Sequence, residues 1–371
     1  MSTVPPIPPL ADEDERPVFA KSRGFWGEAW LRFRRRKLAM TALFFVGFLS
    51  LVGLFAPAIV GTKPLICKYK GKLYFPALGY FVSSWENPYI RTEVRLIYPQ
   101  LLQKKDPDSW AIYPLIYQDP FRRVQDNEWG SQPGNPFGAQ GSPDRHNYFG
   151  TTDNGFDVFA IMVHATRTAM LVGFVSMGIA GFIGIMLGSL AGYFRGPVDS
   201  VISRIIEVVL CIPTLVLILA LMSVLEKPTI WHTMAIIGCT RWTGIARLAR
   251  AEFFKLRESE FVMSARALGV RSGRIIFRHI LPNALAPILV PITFGIADAI
   301  LIESALSYLG FGPPPPNPSW GDLLSQGRAN MQMWWLILFP GLAIFLTVLA
   351  YNLIGEGLQE ATDPRLREAA K

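Results

Sequence analysis

Glu260-Phe-Val-Met-Ser-Ala-Arg-Ala-Leu-Gly269-Val-Arg-Ser-Gly-Arg-Ile-Ile-Phe-Arg-His-Ile-Leu-Pro282 is a basic stretch set between two apolar runs. Read locally, residues 258–268 are good helix formers, and Gly269 can adopt a positive φ and stop the helix. Residues 272–280 then form a second basic helix that leads to Pro282 and the next apolar run. A helix–glycine–helix hairpin with small residues on its face is a docking knob, because small side chains let another protein's groove close over it. Arg266, Arg271, Arg274 and Arg278 suit carboxylates or lipid headgroups. The competing local reading is a solvated basic loop lying on a bilayer surface.

The rest of the chain makes the apolar runs on either side membrane spans. Of 371 residues 51% are hydrophobic and only 17% charged, and mean hydropathy is +0.30, which suits several bilayer-spanning segments better than a soluble globule. A helix needs about 20 apolar residues to cross a hydrocarbon core of roughly 30 Å. Runs 38–60, 168–194, 205–225, 284–309 and 334–355 meet this. Run 229–246 is marginal because Arg241 interrupts it, and it is counted so that the loops on either side keep to their compartments. The expectation is an all-α membrane protein of six transmembrane helices. No cleavable signal peptide is evident before the first run; the opening residues are Pro-rich and acidic.

Lys and Arg in short loops orient the spans. Arg32, Arg34, Arg35, Arg36 and Lys37 precede the first run, which puts tail 1–37 in the cytoplasm. Alternation then places loop 247–282 inside, and 241–282 carries nine Lys/Arg against three acidic residues. Tail 358–371 is inside as well. Segment 61–165 falls outside. Its aromatics (Tyr69, Tyr74, Phe75, Trp85, Tyr89, Tyr98, Trp110, Tyr113, Tyr117) and its Pro and Gly punctuation read as short strands and turns in a small mixed or β periplasmic insertion. The net charge of +8 borders apolar runs, so it points to membrane topology rather than to nucleic acid.

Gly184, Gly188 and Gly192 share one helix face and read as a helix-packing stripe, with a hinge as the sharper alternative. Glu207 stands three residues after Arg204, an i,i+3 pair. Asp298 and Glu303 lie deeper, where a charge costs about 2.5–3.5 kcal/mol, and are the candidates for a translocation path or a contact with a partner subunit. Five residues apart, they point to different sides of a helix. Pro213, Pro287 and Pro291 are candidate kinks. Cys67, Cys211 and Cys239 form no disulfide framework, and the two in apolar runs read as small packing residues. His146, His164, His232 and His279 are scattered, so no metal site is expected.

The 260–282 block resembles the cytoplasmic EAA signature of ABC-importer permeases, in the form used by oligopeptide, dipeptide and nickel importers. Phe261 through Gly269 match the Tyr/Phe-Val-x-x-Ala-Arg-Ala-Leu-Gly version, and Leu281-Pro282 closes it. Met263 and Ser264 replace the name-giving Glu and Ala, and His279 an aliphatic residue. Phe149-Gly-Thr-Thr-Asp-Asn-Gly-Phe-Asp-Val158 is similar to the segment before the family's core, with Thr152 for Asp and Phe156 for Arg. Ser307-Tyr-Leu-Gly-Phe-Gly312 and the stretch from Asn352 to Arg367 are similar to its C-terminal half. Lys63 to Pro76 resembles the Yej-type subgroup of microcin C and oligopeptide importers.

The resemblance implies the type I ABC importer permease fold, with a core over 166–357, in a bacterial inner membrane with both termini cytoplasmic. It implies a second homologous permease subunit, two ATPase domains and a periplasmic substrate-binding protein. Glu260, Phe261, Ala265, Arg266, Ala267, Leu268, Gly269 and Pro282 would carry the ATPase coupling. No catalytic residue and no cofactor is expected. No G-x-x-x-x-G-K-[ST] loop is present, and Gly71-Lys72 lacks its context. The alternatives are a secondary transporter using Asp298 and Glu303, which would run on a proton gradient without ATP, and an intramembrane enzyme, for which no nucleophile–base pair is found.

Overall fold

The computed structural model describes residues 25–82, 85, 106–124, 147–226, 228–313 and 317–362. Tyr89, Tyr98, His146, most of tail 1–37 and residues 363–371 lie outside these. Helix α1 (Phe25–Arg35) stops at Arg36, whose extended backbone (φ −83°, ψ 99°) separates it from α2 (Lys37–Leu54). The 38–60 run is not one helix. It breaks at Phe55, before Pro57, and resumes as the short α3 (Ala56–Ile59).

Beyond it comes a three-stranded antiparallel sheet of β1 (Ile66–Tyr69), β2 (Lys72–Tyr74) and β3 (Trp110–Ile112), in the order β2-β1-β3. Cys67, fully buried, is its centre, beneath Tyr69, Tyr74, Ala111 and Tyr113. A buried carboxylate ties this region together. Asp119 Oδ2 accepts from Thr62 Oγ1 at 2.6 Å and from the Tyr80 hydroxyl at 2.8 Å. Burial, with Asp119 beside it, pushes the Tyr80 phenol well above its usual range, so it stays a donor.

Helix α4 (Val158–Phe194) has 37 residues, about 55 Å at 1.5 Å per residue. It starts ten residues before the 168–194 run, because Asp157 caps it: Oδ1 accepts from the Ala160 amide at 2.7 Å. The last eight residues of the expected 61–165 segment are therefore the first two turns of α4. Asp157→Ala is expected to remove about 1 kcal/mol of local stability. Amide exchange over residues 158–164 should then rise about fivefold; exchange at the wild-type rate would show that the cap contributes nothing.

Helices α5 (Gly196–Leu210) and α6 (Thr214–Ser223) meet at an 82° bend. Pro213 has no N–H to continue the ladder, so run 205–225 does not form a straight span. Helix α7 (Ile230–Arg257) opens on a capping box of Thr229 and His232 and runs past run 229–246, absorbing the first eleven residues of the expected loop 247–282. Helix α8 (Glu260–Ala267) follows.

Helix α9 (Ser272–Tyr308) corrects the hairpin: its second arm is no separate helix but runs into the span. The π-helical stretch Ile275–Ile280 places Pro282 just after a widened turn, where its missing donor interrupts nothing. A connector, α10 (Trp320–Ala329), leads to α11 (Trp335–Thr362).

Helices α2, α4, α9 and α11 are long and apolar enough to cross a membrane, and the bent α5–α6 pair makes a fifth if counted as one span. Of the six expected, composition thus supports four or five; α7 has the length but carries Arg241, Arg247 and Arg250. Helix α7 runs parallel to α4, since Ile179 meets Gly238, Gly184 meets Ile245 and Gly192 meets Phe253. The chain between them must return to the starting end, and α5–α6 is that return.

Candidate functional site

The stretch 256–280 folds as a knob at the end of the α4–α7 pair. Val262 and Ala265 of α8 are buried against the body, in one cluster with Phe253, Ile275, Ile276 and Ile280. The helix ends in a Schellman arrangement. Gly269 sits at φ +74°, its amide donates to Arg266 O at 3.0 Å, and the Val270 amide donates to Ala265 O at 3.1 Å. Closing the helix this way turns Leu268 outward: it is 83% exposed at the tip, with Phe261 and Met263 exposed beside it.

Of the residues picked from the sequence, Glu260, Phe261, Arg266, Ala267, Leu268 and Gly269 are on the exposed side. Ala265 packs inward, and exposed Pro282 lies beyond the π turn, outside the knob. Sequence reading missed the platform beneath. Arg257 Nη1 donates to Tyr193 O at 2.6 Å, and Arg257 and Arg266 both lie over the Tyr193 ring, at 5.7 and 5.9 Å. Arg195 pairs with Glu258, and Arg250 grips Asp199 with two donors. The knob is thereby fastened to the α4–α5 corner as well as to α7. The spacing of Arg247, Arg250 and Arg257 was the available signal; Tyr193, the platform of Arg257, is more than fifty residues away in the chain.

The glycine stripe lies along α7. A Cβ on Gly184 would be 2.8 Å from Ile245 Cβ, and one on Gly192 2.6 Å from both Arg250 O and Phe253 Cβ. A Cβ on Gly188 would overlap Ala246 O and Ala249 Cβ.

Asp298 and Glu303 face different surroundings. Asp298, half exposed, is ion-paired with Arg241 of α7. Glu303 is 1% exposed, away from any open face, and accepts from Ser307 Oγ at 2.7 Å and Ser319 Oγ at 2.8 Å. Since Ser319 also caps α10, Glu303 joins α9 to that connector. Arg204 and Glu207 form the expected pair at 2.8 Å, both exposed. Cys211 and Cys239 are exposed rather than packed. Among the described residues, no three of His, Cys, Asp and Glu gather as metal ligands.

Residues 184–368 match the family model of the binding-protein-dependent transport system inner membrane component, and residues 24–69 match the N-terminal TM domain of oligopeptide transport permease C. The chain is 41% identical over 234 residues to the dipeptide transport system permease protein DppC of Alkalihalophilus pseudofirmus, covering 63% of this chain and 77% of that one. It is 34% identical over 338 residues to the inner membrane ABC transporter permease protein YejE of Escherichia coli, covering 90% and 96%. The oligopeptide transport system permease protein OppC of Bacillus subtilis is 29% identical over 358 residues, covering 96% and 94%.

Proposed function

Since the chain belongs to the family of binding-protein-dependent inner-membrane permeases, we propose that it is one of two related subunits forming the pathway of an ATP-driven peptide importer. It is a permease subunit of the peptide and dipeptide kind, not an enzyme. The knob 258–280 is the part that seats in a separate ATPase, and the observation carrying this is Leu268, a large apolar residue held fully outward by a rigid helix stop. A second homologous subunit, two ATPase domains and a periplasmic binding protein complete the transporter. All six bilayer-length elements cross in this reading, with α5–α6 as a broken span, both termini cytoplasmic and 61–165 outside. The cargo is an oligopeptide or a peptide-like compound of the microcin C kind, supported by the similarity to YejE over 90% of the chain. Asp298 and Arg241 form the polar strip facing the pathway, and the glycine stripe packs α4 on α7.

Orientation is tested with Ser272→Cys in a background where Cys67, Cys211 and Cys239 are serine. A membrane-impermeant maleimide is expected to label it only after the cells are permeabilised. Labelling in intact cells would put the knob on the wrong side and end the proposal.

A further inference from the structure

Helix α1 has three sides of different chemistry. Ala29 and Phe33 are buried, and Phe33 packs with Ala39, Met40, Leu43, Ile354 and Ala361, against the end of α11. Next to this side Trp26 and Trp30 are half exposed, with Trp30 stacked on Phe33 at 5.8 Å. The opposite arc carries Arg34 and Arg35, both exposed, half-buried Arg32, and a single carboxylate, Glu28, one turn before Arg32, so it stays net positive. Arg36 breaks the helix from α2 and pairs with Glu360 of α11. The first span begins one residue later, at Lys37.

We infer that α1 lies in the headgroup layer and binds the anionic phospholipid headgroups of the cytoplasmic leaflet through Arg32, Arg34 and Arg35. The occupant follows from position and charge. A helix joined directly to a span starts at the membrane surface, and Phe33 holds this one against the end of α11. Exposed tryptophans beside a protein-packed face suit the headgroup level. Arginines just outside a span meet the negative potential of an anionic leaflet. Docking by Phe33 and the Arg36–Glu360 pair passes this contact on to the end of α11. The inference rests on the orientation proposed above.

Amide exchange over residues 25–35 tests it, in nanodiscs of phosphatidylcholine alone and of equimolar phosphatidylcholine and phosphatidylglycerol. Exchange is expected to be roughly tenfold slower with phosphatidylglycerol. Replacing Arg32, Arg34 and Arg35 by Gln should erase that difference and leave exchange in phosphatidylcholine unchanged. Arg36 is kept, because it holds Glu360. Equal exchange in the two lipids would overturn the inference. So would protection in phosphatidylcholine that disappears when the acidic run Asp12-Glu-Asp-Glu15 is deleted, making the chain's own tail the occupant. Free phosphate reproducing the effect in phosphatidylcholine would reduce the site to a small-anion site and overturn it too. Failure of the orientation itself is read separately, from Ser272→Cys labelling.

Discussion

Leu268→Glu is expected to abolish ATP-driven uptake while the protein inserts, folds and reaches the membrane in normal amounts. Leu268 is 83% exposed at the end of α8, so its replacement leaves the buried side of the knob, Val262 and Ala265, as it was. A carboxylate forced into an apolar groove without a partner loses its hydration, a cost of several kcal/mol. A truncated or mismatched anchor at the centre of an interface typically costs about 2–4 kcal/mol, or roughly 30- to 1,000-fold in affinity. Leu268→Met, similar in size and apolar, should keep most of the activity. Co-purification of the ATPase and uptake into proteoliposomes are the measurements. An ATPase that still co-purifies with Leu268→Glu at wild-type levels would remove α8 as the docking element. Ala265→Glu is a poorer probe, because Ala265 is buried and a carboxylate there breaks the knob itself.

Gly188→Leu is expected to destroy the assembly of α4 with α7. A Cβ alone would overlap backbone and side-chain atoms of Ala246 and Ala249, and neither can step aside without moving a helix. Interiors packed to crystal-like density tolerate such additions badly. Overpacking costs about 1–3 kcal/mol when the neighbours can adjust, and more when the obstacle is a carbonyl. Gly188→Ala should lower the melting temperature in detergent, and Gly188→Leu should leave little monodisperse protein. Gly178 is the control. It sits in the same helix with nothing within 4 Å of a Cβ, and Ala there should be neutral or stabilising by about 0.5–1 kcal/mol. If Gly188→Leu melts with the wild type, the close approach of the two helices is not what holds them.

What could be read from the chain follows a physical division. Features set by one segment's own pattern were legible. Apolar length marked α2, α4, α9 and α11. Four-residue spacing marked the glycine face, and Gly269 after a run of helix formers marked the helix stop at φ +74°. Features set by a distant partner were not. Arg241 looked like an interruption of a span because Asp298, its counter-ion, is 57 residues away. Glu303 showed no partner in the sequence because Ser319, sixteen residues on, becomes its neighbour only where the chain folds back after α9. Pro213 at a bend, and Pro287 and Pro291 inside a continuous helix, show two outcomes for one residue type that no local pattern separates. Leu268 was chosen for its place in a motif; its outward pose comes from the hydrogen bonds of Gly269 and Val270.

Helix α4 is about 55 Å long, against a hydrocarbon slab of roughly 30 Å, so it stands proud of the bilayer like a mast. Its foot is lashed to the knob through Tyr193, Arg195 and their partners. Its head carries the inserted sheet region through His164 Nε2, 2.9 Å from Val60 O, and through Arg167 Nη1, 3.3 Å from Tyr80 O. A stiff rod fixed at both ends works as a lever. Leaning it by about 5° about its foot sweeps the head through ~5 Å, about one helical pitch. In the arrangement proposed above, work applied at the knob would reach the inserted sheet region through the helix itself, with no relay of side chains in between.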